Sequence, residues 1–274
     1  MAANTLAAVS PEEQFKLEGF FVARRLFSTA EVKTIRGAFM AAAEGGPVPG
    51  LSEVLRGAAA SDPLTRYPRM MKPHRHADLP LGPLTRRCML DKRLERLLRR
   101  FAGKEVWAVN SMFYFQPPGA RGQELHQDNF YLRAKPGTCL AAWIAMDDCD
   151  AENGAMQVVP GSQSMETVCP EQADSGRSFT THWVRPPSHL QPVLMEMQAG
   201  DVLFFNGQLI HGSGPNTSRD RFRRALIFHY IPAGSIELAK YYDAIDFSGR
   251  PVSDIHTASG GGPCGDEFEA QGPH

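Results

Sequence analysis

Leu125-His126-Gln127-Asp128-Asn129 is the stretch on which the reading of this chain turns. On an extended strand, side chains two residues apart point to the same side. The imidazole of His126 and the carboxylate of Asp128 can therefore face one point, where they offer two of the ligands a divalent cation needs. A third must come from elsewhere. Downstream, Gln208-Leu209-Ile210-His211-Gly212-Ser213-Gly214 follows the apolar run from Val202 to Phe205 and offers His211. An H-x-D pattern is a weak signal by itself in a chain with nine histidines. What gives it weight is the arrangement: a pair on one expected strand, then a distal histidine just after another.

The surroundings of this stretch read as β-structure. From Trp107 onward, short β-branched and aromatic runs alternate with turn signals, at 107–116, 125–132, 138–146, 156–159, 193–197, 202–206 and 224–231. Asn153-Gly154 is a tight-turn dipeptide, and Gly200-Asp201 opens a strand. Strands this short and this numerous predict a sandwich or barrel, not alternating βα units.

Upstream the pattern is helical. Ser10-Pro11-Glu12-Glu13 and Ser28-Thr29-Ala30-Glu31 are capping boxes, and Val32, Ile35, Phe39 and Met40 follow the second at helical spacing. That helix should end near Gly45-Gly46, and Gly19-Phe20-Phe21-Val22 reads as a short strand between the two. Residues 47–90, rich in proline and arginine, predict loops and short helices. A further helix is expected from Asp91 to Ala102, with Leu94, Leu97, Leu98 and Phe101 on one face and Gly103 as its stop. The polar segment 160–192 is too long for a hairpin loop and is expected to be a lid. These signals give one catalytic domain over 1–258: a helical part at about 10–103, a core at about 104–232 and a C-terminal segment at 233–258. The Gly/Pro-rich tail, 259–274, is expected to be disordered.

Composition narrows the function classes. The chain has 274 residues, 42% hydrophobic and 22% charged, as an ordinary soluble globular protein does. A net charge of -1 gives no reason to expect nucleic acid or an anionic membrane as a partner. No apolar run is long enough to span a bilayer, and the first ten residues lack the basic start and apolar stretch of a signal peptide. Cys88, Cys139, Cys149, Cys169 and Cys264 are scattered without a C-x-x-C pair. That spacing argues against a disulfide framework or a thiolate zinc site, and for a reducing compartment. The expectation is a soluble cytoplasmic protein; its oligomeric state is not legible.

Two imidazoles and a carboxylate on one face of an octahedron leave three positions open, the arrangement of non-haem iron(II) oxygenases. A bidentate 2-oxo acid can take two of them and dioxygen the last. A dicarboxylate co-substrate also needs a planar donor for its far carboxylate, and the run Arg219 to Arg224 lies shortly beyond His211. His74 and His76, with Asp78 near, could make a second metal site, but no third partner is positioned and a loop near the active-site mouth is the preferred reading. The acidic run Asp147 to Gly154 lacks the ligand spacing of a calcium loop and reads as a hairpin turn.

Over residues 15 to 232 the chain resembles the phytanoyl-CoA dioxygenase family. The landmarks are G-F-F-V at 19–22, Q-P-P-G at 116–119, H-Q-D-N-F-Y-L at 126–132 and A-W-I-A-M-D-D at 142–148. They continue with E-N-G-A-M-Q-V-V-P-G-S at 152–162, H-G-S-G-P-N at 211–216 and R-R-A-L-I-F-H-Y at 223–230. The resemblance implies a mainly β fold, with a double-stranded β-helix (jelly-roll, cupin-like) core flanked by α-helices. It also implies Fe(II), 2-oxoglutarate and O2 as cofactor and co-substrates, with His126, Asp128 and His211 as iron ligands. Met112, Trp143 and Ser213 match positions that contact 2-oxoglutarate, and Lys72, in R-M-M-K-P-H-R, looks like the family's lysine there. Arg223 matches the anchoring arginine, although the loop from His211 is one residue longer than the family pattern, which keeps Arg221 and Arg224 in contention.

The implied reaction hydroxylates an unactivated C–H bond of a small molecule and releases succinate and CO2. Halogenating relatives lose the carboxylate, so Asp128 favours hydroxylation; desaturation, epimerisation and ring formation stay open. Two rivals come from other classes: a non-redox cupin-type metalloenzyme, whose H-x-H-plus-Glu pattern is missing, and a catalytically silent binding or sensing protein. No dense basic patch suggests an acyl-CoA over another metabolite or a natural product.

Overall fold

The computed structural model describes residues 9–53, 59–259 and 262–265. Both expected capping boxes form. Ser10 caps α1 (Pro11–Glu18) and Ser28 caps α2 (Thr29–Glu44), each with the reciprocal bond from a glutamate three residues on. After α1, Gly19 turns left-handed (φ 84°) and releases the chain into β1 (Phe20–Ala23). The 47–90 region yields α3 (Pro63–Arg66), a two-residue β2 (Met70–Met71) and α4 (Leu81–Met89). Asp91 then caps α5 (Lys92–Ala102), which stops at left-handed Gly103.

The core strands follow: β3 (Val106–Tyr114), β4 (Gln123–His126), then the one-turn helix α6 (Asp128–Leu132), β5 (Leu140–Ala145) and β6 (Met156–Val158). Next come β7 (Glu171–Gln172), β8 (His182–Trp183) and β9 (Val193–Leu194). The chain continues through β10 (Val202–Asn206), β11 (His211–Ser213) and β12 (Ala225–Pro232) to β13 (Glu237–Leu238) and β14 (His256–Thr257). Six strands order as β1-β10-β5-β12-β3-β2 and four as β4-β11-β6-β9, every pair antiparallel. These two sheets form the double-stranded β-helix.

Strand alternation sorts the side chains. On β12, Leu226, Phe228 and Tyr230 join Ile35, Phe39, Leu94 and Leu98 in the layer between the large sheet and the helices, where Phe39 stacks on Phe113 with ring centroids 3.9 Å apart. Ala225 and Ile227, one residue out of step, face the interior between the sheets with Met112, Trp143, Met156 and Phe205. Both faces of the large sheet are thus covered, which is why β5 is buried throughout and β12 is buried at every position before Pro232. Burying a side chain such as Leu98 contributes about 1.5–3 kcal/mol.

Three expectations change. The run 125–132 is not one strand, because β4 stops at His126 and α6 begins at Asp128. Asn129 explains the turn: its side-chain Oδ1 accepts from the backbone N–H groups of Ala134 and Cys139, while its backbone N–H donates to the Gly207 carbonyl. Segment 160–192 is docked along the edge of β4, through Gly122 N–H to Arg177, Phe179 N–H to Gly122 and Val184 N–H to Leu125. It shields an edge that would otherwise be open. Finally, Cys169 and Cys264 form a disulfide across 95 residues of sequence, against the cysteine reading; Cys88, Cys139 and Cys149 are free and buried. Of the expected disordered tail, 262–265 contain a short 3-10 turn, and 260–261 and 266–274 lie outside the described residues.

Candidate active site

The register of the small sheet puts His211 on β11 directly opposite His126 on β4. Gly212 permits this approach, since a Cβ there would stand 2.7 Å from the Gln123 carbonyl oxygen. The ring centroids of His126 and His211 are 4.3 Å apart. Gln127 is extended (φ -121°, ψ 125°), so the Asp128 side chain returns to the side of His126 even though Asp128 opens a helical turn. One donor atom from each of His126, Asp128 and His211 lies within 4.8 Å of the others, and all three residues are buried.

Backbone carbonyls orient the imidazoles. Nδ1 of His126 donates to the Glu124 oxygen at 2.8 Å, and Nδ1 of His211 to the Leu209 oxygen at 2.9 Å. Each ring thereby turns an Nε2 lone pair toward the other and toward Asp128 Oδ1, at 3.6 Å from His126 and 3.4 Å from His211. Burial, and then the neighbouring His211, hold the His126 pKa below its ordinary value and the ring neutral. Two lone pairs and a carboxylate oxygen converging in a buried space suit a cation, the more so because a second carbonyl-bound nitrogen fixes each ring.

The same cavity is lined by Met112, Trp143, Ser213 and Arg223. The guanidinium is buried, 2% exposed, with Nε bonded to the Gly154 oxygen and Nη2 to Ser213 Oγ, both at 3.0 Å. Among the described residues Nη1 has no hydrogen-bond partner. Among the described residues no carboxylate lies within ion-pair distance of this arginine, and burial pulls its pKa down to about 10, so it stays charged near neutrality. Ser213 Oγ also accepts from Gln123 N–H at 3.3 Å, which leaves the serine's own hydrogen for an acceptor in the cavity. An orphaned buried N–H on a charged fork, with a hydroxyl beside it, fits a carboxylate.

The other two arginines face elsewhere: Arg221 pairs with Asp150 and Glu152, and Arg224 with Asp147. The Asp147 to Gly154 run thus forms a turn that receives arginines. Lys72 is not brought into the cavity; its ammonium donates to the Tyr241 carbonyl and lies 5.6 Å from the Tyr242 ring centroid. His74 is buried with Nδ1 2.6 Å from Ser111 Oγ, on the other face of β3 from Met112.

Among the cavity residues that sequence reasoning missed, three carry polar side chains. Gln123 brings its amide nitrogen within 3.2 Å of His126 Nε2. Tyr114 accepts a 2.7 Å bond from Arg69, itself paired with Glu53, and its own hydroxyl donates to Met112 Sδ at 3.8 Å. His229 lies 3.0 Å from Asp128 Oδ2. Alternation along β3 and β12 could have flagged Tyr114 and His229, since each is an even number of residues from Met112 or Ile227.

A family model described as phytanoyl-CoA dioxygenase (PhyH) matches residues 15–225. Phytanoyl-CoA dioxygenase of Arabidopsis thaliana is 30% identical over 169 residues, 60% of this chain and 58% of that protein, so the match spans less than two thirds of the relative. Peroxisomal phytanoyl-CoA dioxygenase of Bos taurus is 27% identical over 244 residues, 84% of this chain and 70% of that one. Among solved structures, the non-heme alpha ketoglutarate dependent carbocyclase SnoK from nogalamycin biosynthesis superposes with a TM-score of 0.65 at 22% identity, covering 89% of this chain and 92% of its own, a likeness of fold. Matched by the family model over most of its length, this chain belongs to the phytanoyl-CoA dioxygenase family.

Proposed function

We propose that the chain is an Fe(II)- and 2-oxoglutarate-dependent dioxygenase that oxidises a C–H bond of a small molecule. The observation that carries this reading is the buried His126, Asp128, His211 group sharing one cavity with the unpaired N–H of Arg223. When bound, iron and 2-oxoglutarate supply the oxidising power, with 2-oxoglutarate and O2 giving succinate, CO2 and one oxygen atom for the substrate. The chain's own task is to hold and to shield. His126, Asp128 and His211 present Nε2, Oδ1 and Nε2 to the metal. Arg223 and Ser213 take the far carboxylate of 2-oxoglutarate. Trp143, Met112 and Phe205 wall the cavity with apolar surface, which keeps water from competing. Lys72 would reach 2-oxoglutarate only by leaving Tyr241.

The proposal includes one catalytic domain over 1–258, supported by β1 and β2 from the N-terminal part extending the core sheet at its two ends. Which product forms (alcohol, alkene, epimer or ring) depends on how a substrate is aimed. No helix among the described residues is long and apolar enough to cross a membrane. A cytoplasmic location goes with the reading, and there the Cys169–Cys264 bond would be exposed to reducing conditions.

The test is an anaerobic titration of metal-free protein with Fe(II) and 2-oxoglutarate, following the weak visible charge-transfer band. The band should form with the parent, vanish with Asp128→Ala and demand far more 2-oxoglutarate with Arg223→Ala. A folded parent that gives no band refutes the proposal.

A further inference from the structure

Beside the three donors stands a wholly buried pair of polar side chains on the neighbouring strands β12 and β3 of the large sheet. His229 on β12 is 1% exposed, and its Nε2 lies 3.0 Å from Asp128 Oδ2. The other carboxylate oxygen, Oδ1, is the one near Nε2 of His126 and of His211. The two oxygens of Asp128 are therefore divided between a histidine behind and the candidate metal position in front. On the far side of the ring, Nδ1 of His229 is 3.5 Å from Nδ2 of Asn110, a residue with no exposure at all.

A β-bulge makes this contact. Pairing of β12 with β3 runs His229 to Asn110 and then Tyr230 to Ala108, so Val109 is the extra residue. Val109 packs with Ile231, Phe130 and Tyr131, while Asn110 faces His229. Two consecutive residues are thus turned inward, as a bulge next to a site allows. An amide N–H aimed at Nδ1 makes that nitrogen the acceptor and leaves the ring hydrogen on Nε2, where it donates to the carboxylate.

We infer that His229, oriented by Asn110, is a positioning residue that clamps Asp128 so that only Oδ1 is offered to the metal. The inference rests on the metal reading above. A carboxylate free to rotate can offer either oxygen, or both; a clamped one offers a single oxygen in a fixed direction and keeps the ligand set at three. A purely structural pairing would tie β12 to α6 without altering metal affinity, and the two roles make different predictions.

The probe is Co(II) alone, titrated anaerobically into metal-free protein and followed by its visible absorption, with thermal midpoints of the metal-free proteins measured alongside. His229→Leu should weaken Co(II) binding roughly 10- to 100-fold, the usual effect of losing a hydrogen-bonded support of a ligand. In His229→Gln the side-chain amide nitrogen can stand near the position of imidazole Nε2, and affinity should recover to within about threefold of the parent. Leucine and parent binding Co(II) alike would overturn the clamp while leaving the metal site intact. A parent that binds no Co(II) refutes the site itself, which is a separate failure. If His229→Leu does not fold, Asn110→Leu decides: it should weaken Co(II) several-fold, and unchanged binding would overturn the inference.

Discussion

Replacing Arg223 by methionine should make the protein more stable without 2-oxoglutarate and nearly unable to bind it. The two hydrogen bonds of the guanidinium, to Gly154 and Ser213, contribute about 1 kcal/mol each. Against them stands a buried charge that, like its Nη1–H, finds no partner among the described residues, and burying such a charge costs several kcal/mol. Desolvation wins, so Arg223→Met should gain about 1–2 kcal/mol, or roughly 2–8 °C in melting midpoint for a chain of this size. Adding 2-oxoglutarate and a redox-inert metal reverses the order. At a hundredfold excess over Kd the parent should gain about 2.7 kcal/mol, roughly 5–10 °C, while the variant should hardly move. Losing one partner of a buried charge pair costs about 3–5 kcal/mol, so affinity should fall roughly 150- to 5,000-fold. Scanning calorimetry with and without the co-substrate reads both effects. If Arg223→Met is destabilised by several kcal/mol and still binds 2-oxoglutarate, the arginine is structural and the anchoring argument fails.

Other outcomes follow from single observations. Gly212→Ala puts a methyl 2.7 Å from the Gln123 carbonyl and must spread β4 from β11; metal titration should show at least about a tenfold loss and melting a cost of about 1–3 kcal/mol, and unchanged metal binding would contradict the register argument. Burial pushes the thiols of Cys88 and Cys149 up to about 12 and that of Cys139 well above its ordinary value. Protein purified without reductant should therefore show no fast-reacting thiols near pH 8, three after unfolding and five after unfolding with reduction; five without reductant would rule out the Cys169–Cys264 bond. The Glu31 carboxyl is held down to about 2, first by hydrogen bonds from Arg93 and then by those from Ser28. Its folded pKa lies below the unfolded value of 4.5, so the stabilisation is complete above that pH and disappears as pH falls toward 2. Melting midpoints of the parent should drop more steeply over that window than those of Glu31→Gln, and parallel curves would show the pair to be idle.

How much of this was legible in the residues depends on whether the information was local. The helices at 11–18, 29–44 and 92–102 were readable because each carries its own cap and a face at helical spacing. The longer core strands β3, β5, β10 and β12 were readable for the same reason, by short apolar runs between turns. H-x-D could be read as two donors facing one point, although the geometry comes from an extended Gln127 followed by a helical turn and not from a continuous strand. What could not be read was anything set by pairing across the chain. The Cys169–Cys264 bond spans 95 residues, and spacing alone says nothing about a partner so distant. Lys72 has the right residue type in a matching stretch, yet the carbonyl that receives it belongs to Tyr241, far along the chain. His229 is one more apolar-strand histidine until the register of β12 on β3, bulge included, sets it behind Asp128.

The arginine cluster separates the two kinds of information most sharply. Arg221, Arg223 and Arg224 are chemically identical and adjacent, so sequence can say only that a planar cation stands near the start of the last strand. Their fates are decided by what lies opposite. The acidic turn preceding β6 supplies Asp147 for Arg224 and Asp150 with Glu152 for Arg221, and each of those forks is satisfied. Arg223 falls between them on the alternation of β12, turned to the interior side with Ile227 and His229, where among the described residues no carboxylate lies within ion-pair distance of it. A chain that spends carboxylates on both neighbours and none on the buried one supports the proposal that this charge is kept for a ligand. This is why the anchoring role is best tested by stability: a residue kept for its own fold would be missed when removed, and one kept for a dicarboxylate should be missed only when the dicarboxylate is present.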